Sequence, residues 1–296
     1  MILAEQILLI EPVGFRRNEE TLSDNAFQTD EVNPNRQADV IREFVAFRNL
    51  LRENGIDVTV LIPPDASTPD AVFPNNWFST DPSGRLIFYP MKAANRRKER
   101  RDDFIQRLMK KYPNVTDLTY LENSGEYLEG TGSLVIDHDR KIALACISGR
   151  TTEKALRAWR EKTKYETLTF KAFDKHNQPI YHTNVLLSLG EGFAILCSES
   201  IPDLFERMQL IDFLKDTGRE IIDINFAQLV RFCGNCLQLK NSTGEKFFVM
   251  SNTAYHGFTP LQRGKIMQHT RILTAELATI ERVGGGSARC MVAELF

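Results

Sequence analysis

A cysteine near the end of the sequence is the side chain best suited to nucleophilic chemistry. It lies in the segment Val283-Gly-Gly-Gly-Ser-Ala-Arg-Cys290. Glycines let the backbone adopt positive φ and approach a neighbour closely. The adjacent Arg289 favours the thiolate, which is the reactive form of cysteine. A free cysteine is often an inert core residue, so the assignment of Cys290 as a nucleophile depends on acid/base partners elsewhere in the chain.

His182 and Glu129 are the candidate partners of Cys290. An imidazole exchanges protons near neutral pH, and a carboxylate can fix its tautomer and stabilise its cationic form. Either residue alone is more often structural, but both stand at equivalent places before an apolar, strand-like segment. A thiol, an imidazole and a carboxylate that meet at one point are the groups that acyl or amidino transfer requires.

The elements that would position these residues form a repeat. Each of four segments has an apolar strand with Asn or Gly near its start, then a hairpin turn and a second apolar strand. The first strands are predicted at Phe73–Ser79, Leu128–Val135, Tyr181–Ser188 and Phe232–Leu239. Helix-periodic stretches follow at Asn95–Lys111, Thr151–Lys162, Pro202–Asp216 and Pro260–Gln268. A closing strand ends each unit, with a period of about 50 to 56 residues.

The two ends of the chain supply a fifth unit. The start offers the strand Ile7–Ile10, the helix Asn35–Glu53 and the strand Val58–Leu61, and the end offers the Gly284–Cys290 bend and a last strand. Five strand-strand-helix-strand (ββαβ) units predict one α/β domain over residues 1–296, a five-fold pseudo-symmetric α/β propeller closed by its first and last segments. The predicted units are 1–62 with 283–296, 70–120, 121–173, 180–225 and 228–282.

Such a propeller gathers the equivalent loop of each unit around one axis. We therefore expect Cys290, His182 and Glu129 to converge there as catalytic residues. The same loops carry the candidate substrate-binding residues Asp70, Asn75, Asn76 and Asn184.

Composition excludes several classes of function. The chain has 42% hydrophobic residues, 26% charged residues and a net charge of −2, which indicates a globular protein without a broad surface for nucleic acid. The basic run Arg96–Arg101 contains Glu99, precedes two aspartates and is interpreted as a solvated helix face. The N-terminal segment carries Glu5 and no basic leader, so it is predicted to be a strand rather than a signal peptide.

No apolar stretch approaches transmembrane length, so no membrane association is expected. Five scattered cysteines favour a reducing, cytoplasmic location over a disulfide framework. Cys233 and Cys236 form a single pair without further ligands at zinc spacing, so no metal is predicted.

Three segments resemble the pentein superfamily of guanidino-group-modifying enzymes. They are Leu128-Glu-Gly, Tyr181-His182-Thr-Asn and the ending Gly-Gly-Gly-x-x-Arg-Cys290. The chain is similar to arginine deiminases and dimethylarginine dimethylaminohydrolases, and most similar to the amidinotransferase-like citrulline-utilisation hydrolases. The resemblance covers nearly the whole chain.

The resemblance implies a cysteine hydrolase that cleaves a C–N bond of a ureido or guanidino amino acid through a covalent S-intermediate. Cys290 would attack the central carbon, and His182, supported by Glu129, would move the protons. Arg150 is implied as the contact of the substrate carboxylate, with Arg97 as a second candidate. No cofactor is implied. An amidinotransferase would use the same residues, and a non-catalytic binding protein of the same fold is a further alternative.

Two positions depart from the pattern of the arginine deiminases. Asn76 and Asn184 stand where those relatives carry aspartates that grip the guanidinium. Two carboxylates would pair with a cation, whereas amides offer neutral donors and acceptors. We therefore expect a substrate that is neutral at its reacting end, resembling citrulline more than arginine.

Overall fold

The computed structural model describes residues 1–22, 25, 28 and 36–296. Most of the polar stretch Arg16–Asn35, interpreted from the sequence as a surface excursion or a loop over the cavity mouth, therefore lies outside the described residues. So does Asn35, the predicted first residue of the first helix.

The described residues form five sheets of three strands each. The strands are β1 (Gln6–Ile10), β2 (Asp57–Leu61), β3 (Phe78–Thr80), β4 (Arg85–Phe88), β5 (Asn114–Asp117), β6 (Leu134–Asp137), β7 (Ile142–Cys146), β8 (Glu166–Phe170), β9 (Leu187–Leu189), β10 (Phe193–Leu196), β11 (Glu220–Asp223), β12 (Leu237–Lys240), β13 (Lys246–Ser251), β14 (Arg271–Ala275) and β15 (Ala293–Leu295).

Every sheet has the same topology. A central strand pairs antiparallel with the strand that precedes it in the unit and parallel with the strand that follows a helical connection. This pattern repeats in all five sheets and confirms the predicted five-fold α/β architecture with ββαβ units. The parallel pairing requires the helical crossover, because parallel strands cannot be joined by a tight turn.

Helices connect the central and closing strands of each unit, and three further helices precede the first strand of a unit. The helices are α1 (Arg36–Glu53), α2 (Ala94–Arg97), α3 (Asp102–Lys111), α4 (Gly130–Ser133), α5 (Glu153–Thr163), α6 (Leu204–Asp216), α7 (Phe226–Leu229), α8 (Asn252–Gly257), α9 (Pro260–Met267) and α10 (Ala278–Gly284). The three that precede a first strand are α4, α7 and α10. Side-chain caps begin several of them: Thr152 accepts from the backbone of α5, Asp203 from that of α6 and Thr259 from that of α9. These caps satisfy amide groups that a helix leaves unpaired at its start.

The two ends of the sequence share one sheet, as predicted. Strand β1 lies between β15 and β2, and its Gln6, Ile7 and Leu8 pair antiparallel with Leu295, Glu294 and Ala293. This pairing fixes the bend that carries Cys290, which lies three residues before β15.

The first strand of each unit begins later than the sequence predicted. Short helical turns occupy the predicted strand starts: the 3-10 helices Pro74–Asn76 and Thr183–Val185, and helix α4. Asn76, Glu129 and His182 lie on or immediately before these turns rather than in extended strands. The turns are fully buried, and their backbone groups form hydrogen bonds within the turn. The side chains at these positions are therefore free to face the axis.

The cores lie between neighbouring units. Trp77, Trp159 and Tyr89 are among the largest fully buried side chains. Trp159 Nε1 donates to the Tyr89 hydroxyl at 3.2 Å and so joins the 121–173 unit to the 70–120 unit. Burial of aromatic side chains of this size contributes about 2 to 3 kcal/mol each. The rigid contacts between units hold the axial turns in place.

The interpretation of Arg96–Arg101 as a solvated helix face is wrong for two of its residues. Arg96 and Glu99 are 2% and 1% exposed and form a buried ion pair at 2.8 Å, and the predicted long helix is broken into α2 and α3. Among the described residues, no helix has both the length and the apolar character needed to cross a bilayer.

Candidate active site

Cys290 lies in the turn between α10 and β15, against two amide groups. Its Sγ accepts hydrogen bonds from Nδ2 of Asn235 at 3.2 Å and from Nδ2 of Asn184 at 3.5 Å. Burial raises the pKa of the Cys290 thiol, against the opposing effects of Asn235, the Ser287 backbone, Arg289 and Asn184. The residue is 8% exposed. Both amide N–H groups stabilise the thiolate, so the pocket is built to hold the charged form once a base removes the proton.

Arg289 has a smaller role than its position in the sequence suggested. Its guanidinium pairs with Glu294 at 2.8 Å and donates to the Val292 carbonyl at 2.9 Å. The pKa of Cys290 is raised rather than lowered overall, because burial outweighs the charge of Arg289. As expected, the charge of Arg289 lowers the pKa of the thiol, but burial outweighs this effect, and the hydrogen bond from Asn235 opposes burial more strongly than Arg289 does.

The glycine bend permits close packing, as predicted. Gly285 adopts φ of +68°, and a Cβ on Gly284 or Gly286 would lie 2.8 Å from the ring of Phe73. A larger residue at these positions would displace the Phe73 ring and the turn that carries Cys290.

His182 is hydrogen-bonded to Glu129 beside the same cavity. The distance from Nε2 to Glu129 Oε2 is 2.9 Å, and both residues are buried. Burial alone would raise the pKa of Glu129, but Arg150 and His182 together hold it well below its usual range. The ionised carboxylate accepts only, so Nε2 carries the proton and Nδ1 of the neutral ring has a lone pair.

The pKa of His182 suits a role as a base. Burial lowers the pKa of His182, and the hydrogen bond and charge of Glu129 oppose this shift. The ring is therefore neutral near pH 7, while Glu129 stabilises the imidazolium that forms when Nδ1 takes a proton.

Gly132 lets His182 lie close to Asn76. A Cβ on Gly132 would lie 2.7 Å from His182 Nδ1 and 2.5 Å from Asn76 Nδ2. The absence of a side chain at this position therefore lets both groups approach the axis together.

Arg150 contacts Glu129, the carboxylate that pairs with His182. Its Nη1 lies 3.4 Å from Glu129 Oε2, and its guanidinium lies 4.7 Å from the centre of the Tyr181 ring. It is 3% exposed and lines the cavity. The structure therefore places Arg150 at the site, where it also supports the ionised form of Glu129.

Asp70 and Asn76 also line the cavity. Asp70 Oδ2 accepts from Asn18 Nδ2 at 2.7 Å, whereas its Oδ1 has no hydrogen-bond partner within the described part of the chain. Burial raises the pKa of Asp70, against the opposing effects of Arg96 and Asn18. Asn76 Oδ1 accepts from Arg96 Nη1 at 2.7 Å, and its Nδ2 is likewise without a described partner.

A narrow cavity joins these groups. Cys290, His182, Asp70, Asn76, Arg96 and Arg150 all line it, together with the Gly284–Gly286 bend. The structure thus brings together the predicted nucleophile, base, carboxylate support and three of the predicted substrate contacts. Asn184 reaches the site through its hydrogen bond to the Cys290 sulfur.

Two predicted contacts lie elsewhere. Arg97 is partly exposed, pairs with Glu122 at 3.4 Å and donates to the Met91 and Lys92 carbonyls, so it does not line the cavity. Asn75 is fully buried behind the wall, where Thr131 Oγ1 lies 3.4 Å from its carbonyl oxygen. The loop turns after Asn75, and only Asn76 faces the cavity.

Asn235 and Arg96 are site residues that the sequence analysis did not select. Asn235 occupies the place in the 228–282 unit that is equivalent to Asn184 and Asn76 in their units, so the repeat itself contained the signal. Arg96 was obscured by its basic neighbours, and no local pattern distinguishes it from Arg97.

The five cysteines are all buried and free. Burial raises the pKa of Cys146, Cys197 and Cys233 to about 12 each. Among the described residues, no group of three or more His, Cys, Asp or Glu side chains is placed to hold a metal ion.

A family model for eukaryotic N,N-dimethylarginine dimethylhydrolases matches residues 11–296. The chain belongs to this family. The match confirms the resemblance to the pentein enzymes and assigns the chain to a family of guanidino-group hydrolases. A comparison with curated proteins finds no match.

Solved structures with the same fold include two groups of enzymes. A variant of the ArgZ N-terminal domain, covalently bound to a reaction intermediate, has a TM-score of 0.79 and 15% identity over 98% of this chain and 97% of that chain. Unliganded AgrE has a TM-score of 0.80 and 16% identity over 98% of this chain and 39% of that chain.

A dimethylarginine dimethylaminohydrolase variant, as its adduct with S-methyl-L-thiocitrulline, has a TM-score of 0.69 and 16% identity, with 99% of this chain and 100% of that chain covered. At these identities the likeness shows the fold. The chain spans about 40% of full-length ArgZ, an arginine dihydrolase from the ornithine-ammonia cycle in cyanobacteria.

Proposed function

We propose that this protein is a cysteine hydrolase that cleaves a C–N bond of a ureido or guanidino amino acid through a covalent S-intermediate. The observation that carries the proposal is the surroundings of Cys290. Its sulfur receives two amide N–H groups at 3.2 and 3.5 Å, and it lines the same cavity as His182, whose ring is held by Glu129 at 2.9 Å.

The first half of the reaction forms a bond between sulfur and carbon. Nδ1 of His182 takes the proton of the Cys290 thiol, and the thiolate attacks the central carbon of the ureido or guanidino group. The tetrahedral species then breaks one C–N bond, and the imidazolium gives its proton to the departing nitrogen. Glu129 stabilises the imidazolium between these two steps.

The second half returns the enzyme to its starting state. His182 removes a proton from water, the hydroxide attacks the S-linked carbon, and the C–S bond breaks to release the thiolate, which the amides of Asn184 and Asn235 receive. For citrulline, the departing nitrogen is that of ornithine, and hydrolysis of the S-linked intermediate releases carbamic acid. Carbamic acid decomposes spontaneously to ammonia and carbon dioxide, so the overall balance is citrulline plus water to ornithine, ammonia and carbon dioxide. For arginine, one C–N cleavage gives citrulline and ammonia.

The cavity offers one donor and one acceptor to the reacting group. Asn76 Nδ2 and Asp70 Oδ1 are both buried and have no partner among the described residues. A ureido group carries an oxygen that accepts and an NH₂ that donates, so it satisfies both. A guanidinium carries only N–H groups and leaves Asn76 Nδ2 unpaired, which costs about 1 to 3 kcal/mol. We therefore propose a ureido substrate such as citrulline.

Arg150 is the proposed contact of the substrate carboxylate. Its guanidinium lines the cavity, and a planar fork of N–H donors fits a carboxylate bidentately. The solved relatives support an amino-acid ligand: AgrE has been crystallised with L-arginine, and the dimethylarginine dimethylaminohydrolase with S-methyl-L-thiocitrulline.

Product analysis tests the proposal. The purified protein is incubated with citrulline, arginine and dimethylarginine, and ornithine, citrulline and ammonia are measured without an added amine acceptor. We expect ornithine and ammonia from citrulline. Turnover that appears only after an amine is added would identify an amidinotransferase, and turnover of arginine far above citrulline would contradict the ureido assignment.

Covalent labelling tests the nucleophile. Chloroacetamidine should label the wild-type protein at Cys290, and Cys290→Ser should abolish both labelling and turnover. Cys236→Ser is the matched control, because this cysteine is also buried, at 1% against 8% exposed for Cys290, does not line the cavity, and has a pKa raised well above the usual value by burial. Labelling that persists in Cys290→Ser would show that the nucleophile is wrongly assigned.

A further inference from the structure

The amide of Asn76 is held in one orientation by Arg96. Arg96 Nη1 donates to Asn76 Oδ1 at 2.7 Å. An arginine has donors only, so the oxygen of the amide must face Arg96 and the NH₂ must face the other way. That NH₂ lies beside the space left by Gly132, next to the ring of His182.

Arg96 is in turn fixed by Glu99. Nε and Nη2 of the guanidinium donate to the two carboxylate oxygens of Glu99 at 2.8 and 3.0 Å. The two side chains are 3% and 0% exposed. A bidentate, charge-assisted pair of this kind sets the plane of the guanidinium, and the remaining Nη1 is thereby aimed at Asn76.

Arg96 Nη2 also donates to the Phe73 carbonyl at 3.1 Å, and this single bond does not set the plane of the guanidinium. The nearest alternative carboxylate for Arg96 is that of Asp70. Its Oδ2 lies 3.8 Å from Arg96 Nε, beyond hydrogen-bond distance. If Glu99 lost its charge, Asp70 would be the carboxylate that attracts the guanidinium, and Arg96 would turn away from Asn76. Nothing else in the described structure donates to Asn76 Oδ1, so the amide would then be able to rotate.

We propose that Glu99 is a specificity-determining residue that acts through Arg96 to present the NH₂ of Asn76, rather than its oxygen, to the reacting group of the substrate. The inference rests on the proposed hydrolase function. A presented NH₂ selects a substrate with an oxygen on the reacting carbon, as in a ureido compound. A rotated amide would present its oxygen, which accepts from the N–H groups of a guanidinium.

The test compares selectivity in Glu99→Gln and wild type. kcat/KM is measured for citrulline and for arginine at pH 8, because burial raises the pKa of Glu99 to about 7 against the opposing charge of Arg96. The ratio of citrulline to arginine should fall about tenfold or more. A purely structural defect would lower both values together and leave the ratio unchanged.

Two further variants complete the experiment. Glu122→Gln is the matched control, because Glu122 pairs with Arg97 and Arg100 of the same basic run but does not contact Asn76. Its ratio should equal that of wild type. Asn76→Asp keeps an oxygen for Arg96 and places a second oxygen where the NH₂ was, so it should shift the ratio towards arginine in the same direction as Glu99→Gln.

Each outcome decides between the inference and the function on which it rests. An unchanged ratio in Glu99→Gln, or an equal change in Glu122→Gln, would overturn the role of Glu99 while the hydrolase function stands. A wild-type protein that prefers arginine to citrulline would also overturn the role of Glu99 and leave the hydrolase function standing. Wild-type protein that hydrolyses neither substrate would overturn both. Circular dichroism checks that each variant is folded. If Glu99→Gln is unfolded, Arg96→Lys is used in its place, since lysine keeps the positive charge but cannot bridge two acceptors with a planar fork.

Discussion

Replacement of Asn235 by alanine should reduce the reactivity of Cys290 by weakening its thiolate. The Nδ2 of Asn235 donates to the sulfur at 3.2 Å, the shorter of the two amide contacts. A hydrogen bond to a charged group contributes about 1.5 to 3 kcal/mol. Its loss favours the neutral thiol, so the pKa of Cys290, already raised by burial, should rise further. At pH 7 the thiolate population should fall about 10- to 150-fold.

The assay is the rate of alkylation by iodoacetamide as a function of pH, with the modified peptide identified by mass spectrometry. The midpoint of the profile should move to higher pH in Asn235→Ala, and the two rates should converge at pH values where both thiols are ionised. The convergence separates this effect from a blocked cavity, which would lower the rate at every pH.

Asn184→Ala is the graded comparison. Its amide donates at the longer distance of 3.5 Å, so we expect a shift in the same direction but of smaller size. Thermal unfolding of each variant checks that the fold is retained. Equal alkylation rates at pH 7 for wild type and Asn235→Ala would refute the idea that this amide stabilises the thiolate.

Three other predictions concern the base and its supports. Gly132→Ala should lower kcat/KM at least about 100-fold with an unchanged circular dichroism spectrum, because its Cβ would displace His182 and Asn76; near-normal activity would show that this close approach is not required. Glu129→Gln should move the acidic limb of the kcat/KM profile to lower pH, because Glu129 opposes the fall in the pKa of His182 caused by burial; a limb that stays or moves to higher pH would contradict the pairing. Arg150→Ala should lower kcat/KM at least about 100-fold, since it breaks the buried ion pair with Glu129. Arg97→Ala should change kcat/KM less than about threefold, because Arg97 forms only a partly exposed pair with Glu122. Similar losses in steady-state assays of the two variants would argue against the assigned positions.

Repetition made the fold predictable from the sequence. Turn residues and alternating apolar segments recur at a constant spacing, and the unpaired strand and helix at each end complete a fifth unit. The convergence of Cys290, His182 and Glu129 followed from their equivalent places in three units. The boundaries of the first strands were less predictable, because buried one-turn helices such as Thr183–Val185 use the same apolar residues as a strand.

The fine arrangement of the site depends on contacts between units that no local pattern encodes. Arg96 and Arg97 are adjacent and chemically identical, yet one is buried against Glu99 and the other lies near the surface with Glu122. Which of them faces the axis is set by the break between α2 and α3. The pKa of Cys290 was likewise not predictable, because it depends on burial and on the amides of Asn184 and Asn235, which two other units contribute.

The pairing of β1 with β15 has a consequence for the order in which the protein becomes reactive during folding. The two strands lie at opposite ends of the sequence, so their association closes a very long loop and is entropically among the most costly contacts of the fold. The turn that carries Cys290 is positioned by that same contact. A chain that has formed its first four sheets would still hold this thiol apart from Asn184 and His182. The surroundings of the Cys290 thiol are therefore complete only when the ring has closed, and the appearance of Cys290 reactivity should report completion of folding in a refolding experiment.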